Sequence, residues 1–263
     1  MIDIHSHILP DIDDGSKTLD DSLEMARIAF EDGITHMCCT PHMFNGLSEN
    51  PDPSEILERV SALQEAIGVD GLTVLPGNEV HISHEIAEQA KTNRVTKLNR
   101  QNYMLVEFPT LTVPIGADEL FYKLLLQGVH PILVHPERNS QLQSRPALVA
   151  DFVQRGVLVQ VTAMSVTGEF GPAAQACAVS LLRHNCVHFL ATDTHRPGRR
   201  PPILSRGRDA AAAIIGADNA LKLVEDNPRA AINGQSLAVA PPIPYGAANP
   251  SGGPSFFSRL FKR

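Results

Sequence analysis

Six consecutive residues near the start, Ile2-Asp3-Ile4-His5-Ser6-His7, hold the first side chains able to do chemistry. Their alternation reads as a strand. Residues i and i+2 on a strand share a face, so two imidazoles can converge on one ion. Asp193-Thr194-His195 repeats that logic late in the chain. Between these pairs, His42 follows Thr40-Pro41 and Glu79 follows Pro76-Gly77-Asn78. Glu107 ends the run Tyr103-Met104-Leu105-Val106, and His135 follows Pro131-Ile132-Leu133-Val134. A single histidine at a strand end is most often a hydrogen-bonded structural residue. The whole set argues for metal binding.

The donor types limit the metal. Imidazole nitrogens mixed with carboxylates, without a thiolate, suit Zn, Mn or Fe(II). Five histidines and at least three acids exceed the three or four protein ligands of one catalytic ion. Two or more ions are therefore expected, with Glu79 able to bridge them. Ions held about 3.5–4 Å apart clamp the attacking and leaving oxygens in phosphatases and nucleases. Asp11, Asp13 and Asp14 follow the first strand, and one of them can complete a third shell.

Arginines lie close to these residues. His135-Pro136-Glu137-Arg138 places one just past a strand, and Arg196, Arg199 and Arg200 follow His195. Loop arginines are usually solvated. Beside metal ligands, guanidinium groups can instead clamp phosphate oxygens in bidentate fashion. Phosphoester hydrolysis is the chemistry this suggests, although the metal ligands alone would also fit a metal-dependent amidohydrolase. Cys177 and Arg183 have the C-x5-R spacing of cysteine-dependent phosphatases. That chemistry needs a phosphate-cradling loop at a helix N-terminus. The five intervening residues contain no glycine and continue an apolar helix, so Cys177 is expected in the core.

The elements that must position these groups follow a rhythm. Strands are expected at 2–7, 34–40, 72–75, 103–108, 131–134, 157–161 and 187–191. Helices are expected at 19–32, 54–67 with Ser54 as N-cap, 83–92, 116–127, 146–155, 173–184, 203–215 and 217–226. Strict alternation implies parallel strands, because each crossover needs a helix. Six of seven strands then deliver a His, Asp or Glu to their C-terminal ends. In a parallel barrel those ends share one mouth, where ligands bind.

Composition sets outer limits. The chain has 263 residues, 43% of them hydrophobic, enough for a large single core. A net charge of −7 argues against general nucleic-acid binding. Four cysteines and no CxxC pair argue against a disulfide scaffold or structural zinc. With no basic leader at the start and no apolar run of spanning length, a reduced, cytoplasmic protein is expected. Beyond about Ser236 the composition changes. Residues 241–254 hold five prolines and three glycines, too many for a helix or strand. The expected organisation is a folded body over 1–235, which suits a closed barrel better than two open sheets without forcing the choice, and a tether over 236–263. Its basic-aromatic end, Ser255-Phe256-Phe257-Ser258-Arg259-Leu260-Phe261-Lys262-Arg263, would make peripheral contact with a membrane or partner.

Segments MIDIHSHILPDIDDG, CCTPH, LPGNE, VEFP, HPER and ATDTH, in that order, resemble the PHP-superfamily protein-tyrosine phosphatases of bacterial capsule and exopolysaccharide operons. The resemblance spans about residues 1–235. It implies a distorted (β/α)7 TIM-like barrel of the PHP type, holding two to three divalent ions (Mn, Fe or Zn). It implies His5, His7, Glu79 and Asp193 around one ion, Glu79, Glu107 and His135 around a second, and Asp14, His42 and His195 around a third. Asp13 is the alternative to Asp14. Arg138 and Arg200 match the phosphate-binding arginines, with Arg199 as the neighbour that competes for the second assignment. The implied reaction is one-step hydrolysis of phosphotyrosine on the tail of a cognate tyrosine autokinase, with no phosphoenzyme. Two other readings stand beside it: a small-molecule phosphatase acting on a compound such as histidinol phosphate, and a non-catalytic binder of the kinase tail.

Overall fold

The computed structural model describes residues 1–46, 50–68 and 71–246. Among the described residues there are nine strand segments: β1 (Ile2–Ser6), β2 (His36–Cys39), β3 (His42–Met43), β4 (Thr73–Pro76), β5 (Glu79–His81), β6 (Tyr103–Glu107), β7 (His130–Val134), β8 (Leu158–Thr162) and β9 (Phe189–Ala191). All pairings are parallel. They form two sheets, β1-β2-β4 and β3-β5-β6-β7-β8-β9.

Seven segments match the seven expected strands, while β3 and β5 lie beyond the ends expected at 40 and 75, because the second and third strands resume after one interruption each. Pro41, which has no N–H to give to a ladder, separates β2 from β3. Gly77-Asn78 separates β4 from β5, and a Cβ on Gly77 would lie 3.0 Å from the Thr40 side chain. Each interrupted strand starts in one sheet and finishes in the other, which links the two. At the far side, the Asp193 N–H donates to the His5 carbonyl at 2.9 Å and the His7 N–H to the Thr194 carbonyl at 2.9 Å. The segment after β9 thus returns beside β1. The result is a distorted (β/α)7 arrangement with every C-terminal strand end on one side.

Alternation divides the core into two parts. Met37, Val106, Leu133, Val159 and Leu190 belong to an outer cluster shared with the helices. Ile4, Cys38, Leu105, Val134, Phe189 and Ala191 form an inner cluster. In β1 the register slips between Asp3, opposite Met37, and Ser6, opposite Cys39. That bulge supplies one extra residue. It lets Ile4 join the inner cluster while His5 and His7 both reach the mouth.

Several expected boundaries move. The helix expected from Ser54 runs over Pro53–Ile67, with Asp52 as N-cap and proline at its first position, where a missing N–H costs nothing. A closing helix, Asp226–Ile232, was not expected. Residues 241–246, expected to be part of the tether, lie against the body instead. The Ile243 N–H donates to the His184 carbonyl at 2.8 Å. The Tyr245 ring stacks on His184 with centroids 3.7 Å apart. The basic-aromatic end at 255–263 lies outside the described residues. Among the described residues no helix is long and apolar enough to cross a membrane.

Candidate active site

Glu79 sits at the centre of the mouth. It opens β5 and is fully buried. Its Oε1 lies 2.7 Å from His135 Nε2. Its Oε2 faces three more imidazole nitrogens: His42 Nδ1 at 3.0 Å, His5 Nε2 at 3.2 Å and His7 Nε2 at 3.3 Å. Despite that crowding, neither Glu79 Oε2 nor His42 Nδ1 has hydrogen-bond geometry to any partner. Buried polar atoms left in this state are costly. Atoms that meet at contact distance without hydrogen-bonding suit two lone pairs aimed at a shared cation.

Backbone geometry aims the other ligands. His135 and Asp193 both have left-handed backbone, with φ of 37° and 50°. Non-glycine residues adopt this at a cost of about 1–3 kcal/mol, and such residues collect at functional sites. At His135 the chain turns from β7 into a short 3-10 helix, Pro136–Arg138. The His135 N–H is spent on the Gln160 carbonyl at 2.8 Å.

Four groups of side chains could each hold an ion: His5, His7 and Asp193; His7, Asp14, His42 and His195; His5, Glu79 and His135; and His42, Glu79 and Glu107. All nine expected ligands occur in them. The first two groups nearly reproduce two of the sets implied by resemblance. The remaining set is only half assembled: Glu107 groups with His42 and His135 with His5, and they meet only through Glu79. Asp14 points its carboxylate at His195 and His42, 3.4 and 3.5 Å away. Asp13 is engaged elsewhere, its Oδ2 2.7 Å from His7 Nδ1 and its Oδ1 accepting the Gly15 N–H at 2.9 Å.

Charge is strongly coupled here. Burial opposes ionisation of Asp193, but Arg200, His5 and Arg138 outweigh it and hold the carboxyl well below the usual range. Burial opposes ionisation of Glu79 too, and His5 and His42 likewise hold its pKa down. Burial also disfavours charge on His42, yet the Glu79 carboxylate pushes its pKa up to about 10. His5, His7 and His42 are thus drawn toward charge by the surrounding carboxylates, and a divalent cation would satisfy that demand. The buried nitrogen and oxygen donors without thiolate fit hard or borderline divalent ions.

Arg138 and Arg200 both donate to Asp193 Oδ2. Asp193 Oδ1 turns the other way, 3.3 Å from His7 Nε2 and 3.5 Å from His5 Nε2. One carboxylate therefore joins the histidine cluster to the arginine pair. Arg200 owes its position to a tight return of the chain: its carbonyl accepts from Thr194 Oγ1 at 2.6 Å and from the His195 N–H at 3.2 Å. Arg199 is exposed. Two hollows flank the cluster. One, of about 700 Å³, is lined by Asp14, His42, Arg59, His81 and Glu107 among others. The other, of about 480 Å³, is lined by Met164, Phe170, His195, Arg199 and Arg200 among others.

Some contributors were not singled out by sequence. Gln160, on the one strand without an acidic or imidazole end, places Oε1 2.9 Å from His5 Nδ1. It is the polar residue at i+2 from Leu158 in an apolar strand, which was a usable signal. His81, at i+2 from Glu79, lies 3.3 Å from Glu107 Oε2. Cys177 is buried within the helix Pro172–Arg183, and burial pushes its thiol up to about 12. It is a core residue, as the helical context implied.

Comparison with known proteins gives consistent relatives. A family model described as capsular polysaccharide synthesis, CpsB/CapC, matches residues 1–233. The tyrosine-protein phosphatase YwqE of Bacillus subtilis is 40% identical over 197 residues, covering 74% of this chain and 77% of the relative. The tyrosine-protein phosphatase CpsB of Streptococcus pneumoniae is 29% identical over 244 residues, covering 90% and 100%. Among solved structures, a chain from the crystal structures of YwqE and CpsB, described as unique metal-dependent tyrosine phosphatases, matches with a TM-score of 0.89 and 34% identity. That match covers 93% of this chain and 99% of the other.

Proposed function

This chain belongs to the CpsB/CapC family of capsular polysaccharide synthesis, and on that premise we propose that it is a metal-dependent tyrosine-protein phosphatase. The observation that carries the reading is the Asp193 carboxylate, with one oxygen on the histidine cluster and the other on two guanidiniums. Cations and arginines so joined suit a phosphoryl group, whose oxygens need both.

The site residues fall into roles. His5, His7, Glu79 and Asp193 would hold one ion, Glu79, Glu107 and His135 a second, and Asp14, His42 and His195 a third. When bound, such ions supply Lewis acidity that lowers the pKa of water and neutralises phosphoryl charge. Arg138 and Arg200 donate to phosphoryl oxygens, with Asp193 Oδ2 presenting both in the absence of substrate. Gln160 and Asp13 occupy the Nδ1 sides of His5 and His7, which turns each Nε2 into the cluster. Cys177, buried and protonated, takes no part, so no thiol phosphoenzyme forms.

The substrate in this reading is phosphotyrosine on the tail of a tyrosine autokinase that governs polysaccharide export. The protein would work in the cytoplasm, with 1–235 as the catalytic unit. Residues 236–246 act as a strap on that unit. The chain beyond them would reach the kinase or the inner membrane face.

The test compares turnover of a phosphotyrosine peptide and of histidinol phosphate, with and without strong chelator, alongside elemental analysis. Two to three Mn, Fe or Zn ions per chain, chelator-sensitive turnover and preference for the peptide are expected. Full activity in chelator with no metal found would overturn the metal reading. Preference for histidinol phosphate would move the substrate to a small molecule.

A further inference from the structure

Two cations of the site rest on one aromatic ring. Arg138 Cζ lies 4.8 Å from the centroid of Phe170, and Arg200 Cζ lies 5.3 Å from it. Both fall within the range where a guanidinium is attracted to the negative face of a ring. The arginines come from distant points of the chain, one after β7 and one after β9. Phe170 comes from neither. It stands in the four-residue turn Gly168-Glu169-Phe170-Gly171, between the helices Ala163–Thr167 and Pro172–Arg183. Gly168 and Gly171 have φ of +99° and +89°, and the Gly171 N–H closes the turn on the Gly168 carbonyl at 2.9 Å. Two left-handed glycines thus lift one phenyl ring into the arginine side of the mouth.

Something must hold two like charges together. Among the described residues, Asp193 is the only carboxylate that pairs with either guanidinium. Its charge is shared, since Oδ1 faces His5 and His7. Any cation held by that oxygen weakens the pull of Oδ2 on the arginines. The ring face is uncharged and is not drawn away by such a cation. It has no proton to give and no lone pair to offer, so it does not act on the reacting atoms.

We propose that Phe170 is a positioning residue for phosphoryl binding, holding Arg138 and Arg200 in convergence so that both can donate to one phosphoryl group. This rests on the phosphatase reading above. The test uses the full, metal-loaded chain with Phe170→Leu and Phe170→Tyr. Three quantities are read: hydrolysis of an aryl phosphate, direct binding of inorganic phosphate by calorimetry, and metal content. Losing the ring face should weaken phosphate binding and lower kcat/KM by about tenfold. Phe170→Tyr, which keeps the ring, should stay within about threefold of the unaltered chain. Metal content should not change, and Phe170→Leu should cost less in an Arg138→Ala background, where Arg200 alone remains over the ring. Phosphate binding by Phe170→Leu equal to that of the unaltered chain would overturn the proposal, as would an equal loss in the Arg138→Ala background. If Phe170→Leu fails to fold, Phe170→Met answers the same question with an unbranched side chain. An unaltered chain that binds phosphate but hydrolyses no aryl phosphate would sink the phosphatase reading, while the binding comparison still decides the role of Phe170.

Discussion

Asp13 closes on His7, carboxylate oxygen to Nδ1 at 2.7 Å, and this turns His7 Nε2 toward Glu79 and Asp193. Burial disfavours charge on His7, but Asp13 outweighs it and raises the pKa well above the ordinary value. Carboxylates behind metal-binding histidines fix the ring orientation and raise ligand basicity, and losing one costs about 10–100-fold in metal affinity. Asp13→Asn keeps the shape and removes the charge. Competition against a chelator of known affinity should show metal binding weakened by about tenfold or more. An unchanged affinity would leave Asp13 as a loop brace only.

Gly15 packs against the same histidine. A Cβ there would fall 2.2 Å from the His7 carbonyl oxygen and 2.4 Å from His7 Cβ. Neither can yield without shifting β1. Gly15→Ala should therefore destabilise the fold by about 1–3 kcal/mol in urea unfolding. It should also lower the metal content found by elemental analysis. Wild-type stability and occupancy together would show that the loop after β1 moves freely away.

The arginine and the cysteine separate two phosphatase chemistries. Arg138→Ala removes a donor from developing phosphoryl charge and should cost about 2–4 kcal/mol in transition-state binding, read from kcat/KM. Cys177→Ser should keep near-wild-type turnover, since the thiol is buried and accepts no role in the mouth. The reverse pattern, a dead cysteine variant and a normal arginine variant, would overturn the metal-centred reading.

His188 ties stability to pH away from the mouth. It is buried, its Nδ1 accepts the Val159 N–H at 3.0 Å, and burial lowers its pKa from 6.5 to about 4. Between those values the unfolded chain binds the proton and the folded chain does not. The stabilisation is therefore complete above pH 6.5 and is lost as pH falls toward 4, by up to about 3 kcal/mol. His188→Asn retains an acceptor for Val159 and does not titrate. Its Tm should fall less than wild type between pH 7 and pH 5, and equal falls would assign the acid sensitivity to other groups.

What could be read locally was read from the chain itself. Strand alternation puts His5 and His7 on one face, whereas Asp193 and His195 lie beyond β9, which ends at Ala191, and the left-handed backbone of Asp193 places them instead. The β-then-α rhythm brings six such ends to one side. These are short-range consequences of backbone period, and the parallel (β/α)7 arrangement follows from them. Likewise, the missing glycines around Cys177 already showed a helix rather than a phosphate loop.

Choices among equal neighbours belonged to the tertiary structure. Sequence offered Asp13 and Asp14 as alternatives. The turn after β1 spends one on His7 Nδ1 and aims the other at His42 and His195. It offered Arg199 and Arg200, and the bonds from Thr194 and His195 to the Arg200 carbonyl place that one at Asp193. The packing of 241–246 ran against composition, because Tyr245 found His184 across 61 residues of chain. Phe170 under two arginines had no sequence signal at all. Contacts between residues far apart in the chain depend on how whole elements pack. A bulge of one residue in β1 or two left-handed glycines at 168 and 171 can redirect them, and no local period records that.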